Sequence, residues 1–256
     1  MFDRQVRPYL LSLSNTTLIS HNIHMFGIGE STVEDILREY METHENPTIA
    51  PYAKEGEVLL RVTAKADTEE AANALALPVV EEIREKFAEY VYGVDAGTLQ
   101  NALVQLLTEK KLTVATAESC TGGLVSKRIT EIGGASEVFG CGVCAYSNAM
   151  KTQLLGVPAA LLDAHGAVSE QVARSMAQGV RKLSGADIGI ATTGVAGPGG
   201  GTAEKPVGLV YVAVSSEKLE TVLKLKLSRS YGGEREYIQY SAASHALHLA
   251  LQAANA

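Results

Sequence analysis

"TVATAESCTGGLVSKRI", residues 113–129, is the stretch on which the reading of the whole chain turns. Small and β-branched residues run to Glu118, and an amphipathic run begins after Gly123. Residues 112–118 are therefore expected to form a strand and 123–132 a helix, with Ser119, Cys120, Thr121, Gly122 and Gly123 at the joint. The first turn of a helix leaves backbone N–H groups unpaired, and these can hold a developing oxyanion. A serine at the end of a strand, just before such a turn, is well placed as a nucleophile. The plainer reading is that Ser119 or Thr121 only caps the helix.

The pattern around that joint repeats. Helix 98–110 precedes strand 112–118, and helix 123–132 leads to strand 138–146. Helix 148–155 follows, then helix 169–184 with Ser169 as its cap, then strand 187–193. "PVGLVYVAVS" and "ETVLKLKLS" are two further strands, and "GEREYIQYSAASHALHLALQAA" is a closing helix. Alternating strands and helices predict an α/β fold, a layered α/β/α sandwich, over 98–256. Ligands in such folds collect beyond the strand ends.

Residues 1–97 read differently, as a small α+β domain. Ser31 and Glu34 are spaced as a capping box before a helix with Val33, Ile36, Leu37 and Tyr40 on its apolar side. "NPTIAPYAKEG" reads as a loop punctuated by prolines, and "EVLLRVTAKA" as a strand. "DTEEAANALALPVVEEIREKFAEY" reads as a helix that Pro78 kinks or divides. The charge is uneven: residues 1–97 carry 8 Lys/Arg against 17 Asp/Glu, and residues 98–256 carry 14 against 12. An acidic first domain without a G-x-x-G loop in basic surroundings speaks against nucleic-acid binding.

The 256 residues include four Phe and no Trp, so the core must be aliphatic. No apolar run is long enough to span a bilayer, and no secretory signal is evident. Three cysteines are an odd set for a disulfide framework, which suits a reducing cytoplasm. Cys141 and Cys144 have C-x-x-C spacing but lie in a strand, where residues three apart face opposite ways, so each is expected to be a small buried residue rather than a metal ligand.

Three strand ends could carry chemistry: "AESCTGG", "AYSNAMK" and "TTGVAGPGGGTAEKP". If their strands are parallel neighbours, the loops meet at one edge. Ser119 needs a base. Of the six histidines only His165 falls in a loop of the second domain, which supports a Ser-His-Asp triad poorly. Lys151 is the better base, because Ser147 or Asn148 caps a helix there and a helix N-terminus disfavours an ammonium. Desolvation would lower its pKa further, and a neutral lysine can deprotonate serine. Tyr146 is placed to relay a proton or fix the amine. Cys120, with Glu118 and Lys151, makes a rival cysteine amidase, and spacing alone does not separate the two. The third loop supplies N–H groups and hydroxyls without bulk, but it is not a P-loop.

"TAESCTGGL", "ITEIGGASEVF", "AYSNAMKTQLLGV", "HGAVSE", "TTGVAGPGGGTAEKPVGLVY" and "GEREYIQ" resemble the C-terminal domain of the competence/damage-inducible CinA family, a nicotinamide mononucleotide (NMN) amidohydrolase. Residues 1–97 are similar to its KH-like middle domain in "FGIGES" and "NPTIAPYAKEGEV", and "MFDRQVRPYL" to the tail of a missing molybdopterin-binding-like domain. The resemblance implies a cytoplasmic homodimer that hydrolyses the carboxamide of NMN without metal or cofactor. It implies Ser119 and Lys151 as the catalytic pair, with Tyr146 beside them. It carries substrate contacts to Glu118, Cys120, Thr121, Gly122, Gly123, Asn148, Thr193, Gly194, Ala196, Gly197, Pro198 and, for phosphate, Arg235. The chain departs from the pattern at Gln239, where an arginine is usual, and at Cys141 and Cys144. The rival of a different class is a nucleotide-binding module that keeps the site without the chemistry.

Overall fold

A computed structural model describes residues 2–6, 9, 16–54, 56–228 and 234–256. The described chain forms two compact units, Met1–Gly97 and Thr98–Ala256. Residues 1, 7, 8 and 10 of the stretch likened to the tail of a preceding domain lie outside the described residues, as does Gly233.

The first unit is a four-stranded antiparallel sheet in the order β2-β3-β1-β4. Its strands are β1 (Thr17–Phe26), β2 (Thr48–Lys54), β3 (Glu57–Ala66) and β4 (Val91–Val94). Two α-helices, α1 (Glu30–Thr43) and α2 (Glu69–Lys86), pack on it, and Phe2–Val6 form a π-helical turn. Ile23, Met25, Leu60 and Val62 on the central strands meet Val33 and Leu37 of α1 and Ala76, Val80 and Ile83 of α2 in one core.

Three local expectations are corrected here. The Ser31–Glu34 capping box does not form: α1 starts two residues earlier than it requires, with Gly29 at the N-cap and no side-chain cap. Residues 48–54 are a strand rather than a loop. Pro51 is tolerated because β2 is an edge strand, where a missing N–H breaks no second ladder. Pro78 does not divide α2, which is continuous from Glu69 to Lys86 and capped by Thr68, whose hydroxyl accepts from Ala71 N–H.

The second unit is a three-layer α/β/α sandwich. Its five strands are β5 (Val114–Glu118), β6 (Phe139–Cys144), β7 (Ile188–Gly194), β8 (Leu209–Ser215) and β9 (Glu220–Lys226), in the order β6-β5-β7-β8-β9. β5 is parallel to both β6 and β7, whereas β8 and β9 are antiparallel additions. The helices are α3 (Leu99–Lys110), α4 (Leu124–Thr130), α5 (Asn148–Leu155), α6 (Ala159–His165), α7 (Glu170–Ser184) and α8 (Glu234–Asn255). Helix α7 packs on one sheet face with α5 and α6 against it; α8 covers the other face with α3 and α4. α6 was not expected, and it places His165 at a helix end rather than in a loop.

Alanine dominates the α7 face. Ala115, Ala117, Ala191 and Ala213 on the strands receive Val172, Ala173, Met176 and Val180 of the helix. Small strand residues let helix and sheet approach closely, which is how a core nearly free of aromatics reaches native density. Gly189 and Gly179 mark the tightest points. A Cβ on Gly189 would sit 2.2 Å from the Ala177 carbonyl, and one on Gly179 would sit 2.0 Å from the Leu155 carbonyl.

Candidate active site

The connectivity places the site at β5. From β5 the chain crosses by α4 on one face to β6, then returns by α7 on the other face to β7, on the far side of β5. The end of β5 is thus a topological switch point, the place where sheets of this kind gather their ligand-binding loops. Glu118 pairs with Cys144 of β6 and with Thr192 of β7, so Ser119, Ala145 and Thr193 follow at one edge, where β5 and β6 end and β7 runs two residues further against β8. The three loops singled out in the sequence do converge.

The turn after β5 is built around Glu118. Its side chain is 1% exposed, yet it accepts five hydrogen bonds. Oε2 takes the Thr121 hydroxyl at 2.7 Å and the N–H groups of Gly123 and Val125 at 3.0 Å each. Oε1 takes the N–H and hydroxyl of Ser126 at 2.8 and 2.6 Å. Glu118 therefore caps α4 from the strand side, and a substrate-binding role for its carboxylate is corrected to this one. The N–H groups of Gly122 and Leu124 are also spent, on Ser119 O and Thr121 O. Of the N–H groups expected to face a substrate, Gly122 and Gly123 drop out. The N–H of Thr121 and the N–H of Cys120, beside its own thiol, remain on the turn. Gly122 and Gly123 have φ of 64° and 99°, and this left-handed pair is what glycine permits at low cost.

Lys151 stands in α5, capped by Ser147, whose hydroxyl accepts from Met150 N–H at 3.3 Å. Lys151 is 1% exposed. Nζ lies 3.1 Å from Ser119 Oγ, 2.8 Å from Ala145 O and 3.3 Å from Tyr146 O. Burial lowers its pKa from 10.5, and nearby Cys120 opposes the shift. Desolvation is the leading cause, ahead of the helix-end effect on which the sequence argument leaned.

The geometry of that amine is informative. A neutral amine has two N–H donors and one lone pair. The two carbonyls can only accept, so they take both N–H groups. As the ammonium, Lys151 donates to all three oxygens, Ser119 Oγ among them; as the neutral amine, it leaves its lone pair for the Ser119 hydroxyl to donate to. Both forms satisfy every polar atom in the cluster, and burial shifts the balance toward the uncharged one.

Cys120 fits the nucleophile's part badly. It is buried, and desolvation with Glu118 nearby pushes its thiol up to about 12. No thiolate is available there near neutral pH. Cys141 is half-buried and Cys144 exposed, because β6 is an edge strand; the expectation that both are buried is corrected.

The Tyr146 ring is 64% exposed and its hydroxyl meets Arg235 Nη2 at 3.4 Å, not Lys151. Its contact with the amine is through its backbone carbonyl. Asn148 is the exposed first residue of α5. Thr193 is buried and donates to Ala167 O at 2.8 Å, which ties the glycine-rich loop to the α6–α7 connection. Gly194 still belongs to β7, and a Cβ there would strike Leu209 O. Ala196 and Gly197 are buried and Pro198 exposed. Gly197 O accepts from Arg235 Nη1 at 2.6 Å.

Gln239, noted in the sequence only as a departure from a usual arginine, has a contact that the sequence did not foretell. Its Nε2 donates to Cys120 O at 2.9 Å. Arg235 and Gln239 are four apart on α8, so they share one face. Together they touch all three loops: Arg235 the second and third, Gln239 the first. That spacing was the available signal.

Comparison with known proteins places this arrangement in a family. Residues 96–254 match the CinA C-terminal domain, and residues 20–93 match the damage-inducible protein CinA KH domain. The chain belongs to the CinA family. A CinA-like protein of Kosmotoga olearia is 49% identical over 247 residues, covering 96% of this chain and 59% of the relative. One of Desulfovibrio desulfuricans is also 49% identical, with 58% of the relative covered. The chain thus spans just under three-fifths of these relatives. Among solved structures, the competence/damage inducible protein CihA from Agrobacterium tumefaciens superposes with a TM-score of 0.58 at 40% identity, over 62% of this chain and 94% of that one. A CinA superfamily protein from Klebsiella pneumoniae gives 0.57 at 29% identity, over 61% and 96%. Among the described residues, no helix is long and apolar enough to cross a membrane.

Proposed function

We propose that this CinA-family chain hydrolyses the carboxamide of NMN, giving nicotinate mononucleotide and ammonia, with Ser119 as nucleophile and Lys151 as base. The observation that carries the reading is the buried Lys151 amine 3.1 Å from Ser119 Oγ, its pKa lowered by desolvation. The Ser119 proton passes to Lys151 Nζ as Oγ bonds to the carboxamide carbon. The N–H groups of Cys120 and Thr121 receive the oxyanion. Lys151 returns the proton to the amide nitrogen as the C–N bond breaks, and ammonia leaves. Water then gives a proton to Lys151 and attacks the ester, which frees Ser119 and nicotinate mononucleotide.

The nucleotide part of the reading rests on the resemblance to NMN amidohydrolase and on Arg235. Two of the five guanidinium N–H groups are engaged by Gly197 O and the Tyr146 hydroxyl, which leaves three for a phosphate. Ammonia release from NMN, nicotinamide riboside and nicotinamide tests both parts. NMN is expected to be the best substrate, and Ser119→Ala to lose roughly a thousandfold or more. Equal turnover of nicotinamide refutes phosphate recognition. Tight NMN binding without ammonia release refutes the chemistry.

A further inference from the structure

With Gly122, Gly123, Leu124, Val125 and Ser126 all donating their N–H groups inside the protein, the oxyanion donors on the first turn come down to Cys120 and Thr121. The Thr121 N–H belongs to the same peptide unit as the Cys120 carbonyl. That unit is trans, since the cis bonds of the described chain precede Pro47 and Pro198. In a planar trans peptide, C=O and N–H point in opposite directions. Whatever fixes the carbonyl therefore aims the N–H.

Gln239 Nε2 holds the Cys120 carbonyl at 2.9 Å. It does so from α8, which lies on the sheet face shared with α3 and α4. α5, which brings Lys151 to Ser119, packs with α7 on the opposite face. A carbonyl drawn toward α8 turns the Thr121 N–H away from α8, toward the side where Ser119 Oγ meets Lys151. We propose that Gln239 is a positioning residue: its amide sets the Cys120–Thr121 peptide so that the Thr121 N–H stands ready for the oxyanion. This assigns the residue that departs from the family's usual arginine to the nucleophile turn rather than to substrate phosphate. The assignment rests on Ser119 being the nucleophile.

The test compares wild type with Gln239→Leu, Gln239→Glu and Gln239→Arg in three readouts. These are steady-state kinetics on NMN, the rate at which a fluorophosphonate labels Ser119, and the thermal midpoint. Leu and Glu lack the donor. They are expected to lower kcat by about 10- to 100-fold, in line with a displaced oxyanion donor, with KM within about threefold. Labelling slows by a similar factor, because the phosphonyl oxygen uses the same N–H groups. The pH at half-maximal rate stays at the wild-type value and the thermal midpoint barely moves. Gln239→Arg keeps an N–H donor and is expected to retain most of the wild-type kcat and labelling rate. An unchanged kcat in the Leu variant, a loss confined to KM, or a loss that tracks a lowered thermal midpoint overturns the assignment. Wild-type protein that labels at Ser119 but releases no ammonia from NMN refutes the substrate alone, and the labelling rates then decide the role of Gln239. Failure of the wild type to label at Ser119 overturns both.

Discussion

Replacing Glu118 removes the group on which the nucleophile turn is built. In Glu118→Gln one carboxylate oxygen becomes an NH2 group. The better orientation keeps the oxygen where Thr121, Gly123 and Val125 donate and sets the NH2 against Ser126 N–H. The two hydroxyls can turn to other partners: Thr121 to Thr192 at 2.7 Å, Ser126 to Thr116 at 2.7 Å. One N–H is then left facing a donor, at about 1–3 kcal/mol. The three retained bonds lose their charge assistance, about 1 kcal/mol more. The expected loss is about 2–4 kcal/mol for Gln and more for Ala, which strands three N–H groups. Urea denaturation gives the energy, and hydrogen–deuterium exchange at residues 121–126 gives its location. A Gln variant within about 0.5 kcal/mol of wild type, with unchanged protection on that turn, refutes the capping role.

Activity rises with pH as Lys151 loses its proton, and burial places the midpoint below 10.5. A rate–pH profile checks this; Lys151→Arg stays charged and is expected to be inactive. The buried ammonium also weakens folding at low pH, and this is relieved as pH rises through the lowered pKa. His21 runs the other way. Its ring contacts Asp95 at 2.8 Å and Asn73 at 2.9 Å, and chiefly the Asp95 bond raises its pKa above 6.5. Its stabilising effect is full below 6.5 and fades as pH rises through the raised value, so the thermal-midpoint gap between wild type and His21→Gln narrows in alkali. Gly179→Ala pushes a Cβ to within 2.0 Å of Leu155 O at the end of α5. It is expected to cost about 1–3 kcal/mol by denaturation and to lower kcat by displacing Lys151.

The alternation of strands and helices in the second unit was legible because each element carries its own period and punctuation. Ser147, Ser169 and Gly156 end or begin helices where such residues should. The first unit was harder. Pro51 looked like a loop residue because a sequence does not announce which strand will be an edge. The Ser31–Glu34 spacing was correct for a capping box, but the helix began two residues too early to use it. At the site, Ser119 and Lys151 were readable from residue type and position. Glu118 was not, since whether a carboxylate faces substrate or caps the next helix depends on which side of β5 it projects. The contact of Gln239 was hidden for a related reason: it joins positions 119 apart in the chain.

The most direct test of the Ser119–Lys151 account is to stop the reaction with NMN in its first turnover and map the covalent adduct by peptide mass spectrometry. The account predicts a nicotinate mononucleotide ester on Ser119, absent from Ser119→Ala and from Lys151→Met. Ammonia released at the wild-type rate by Ser119→Ala, or an adduct on Cys120 instead, contradicts it.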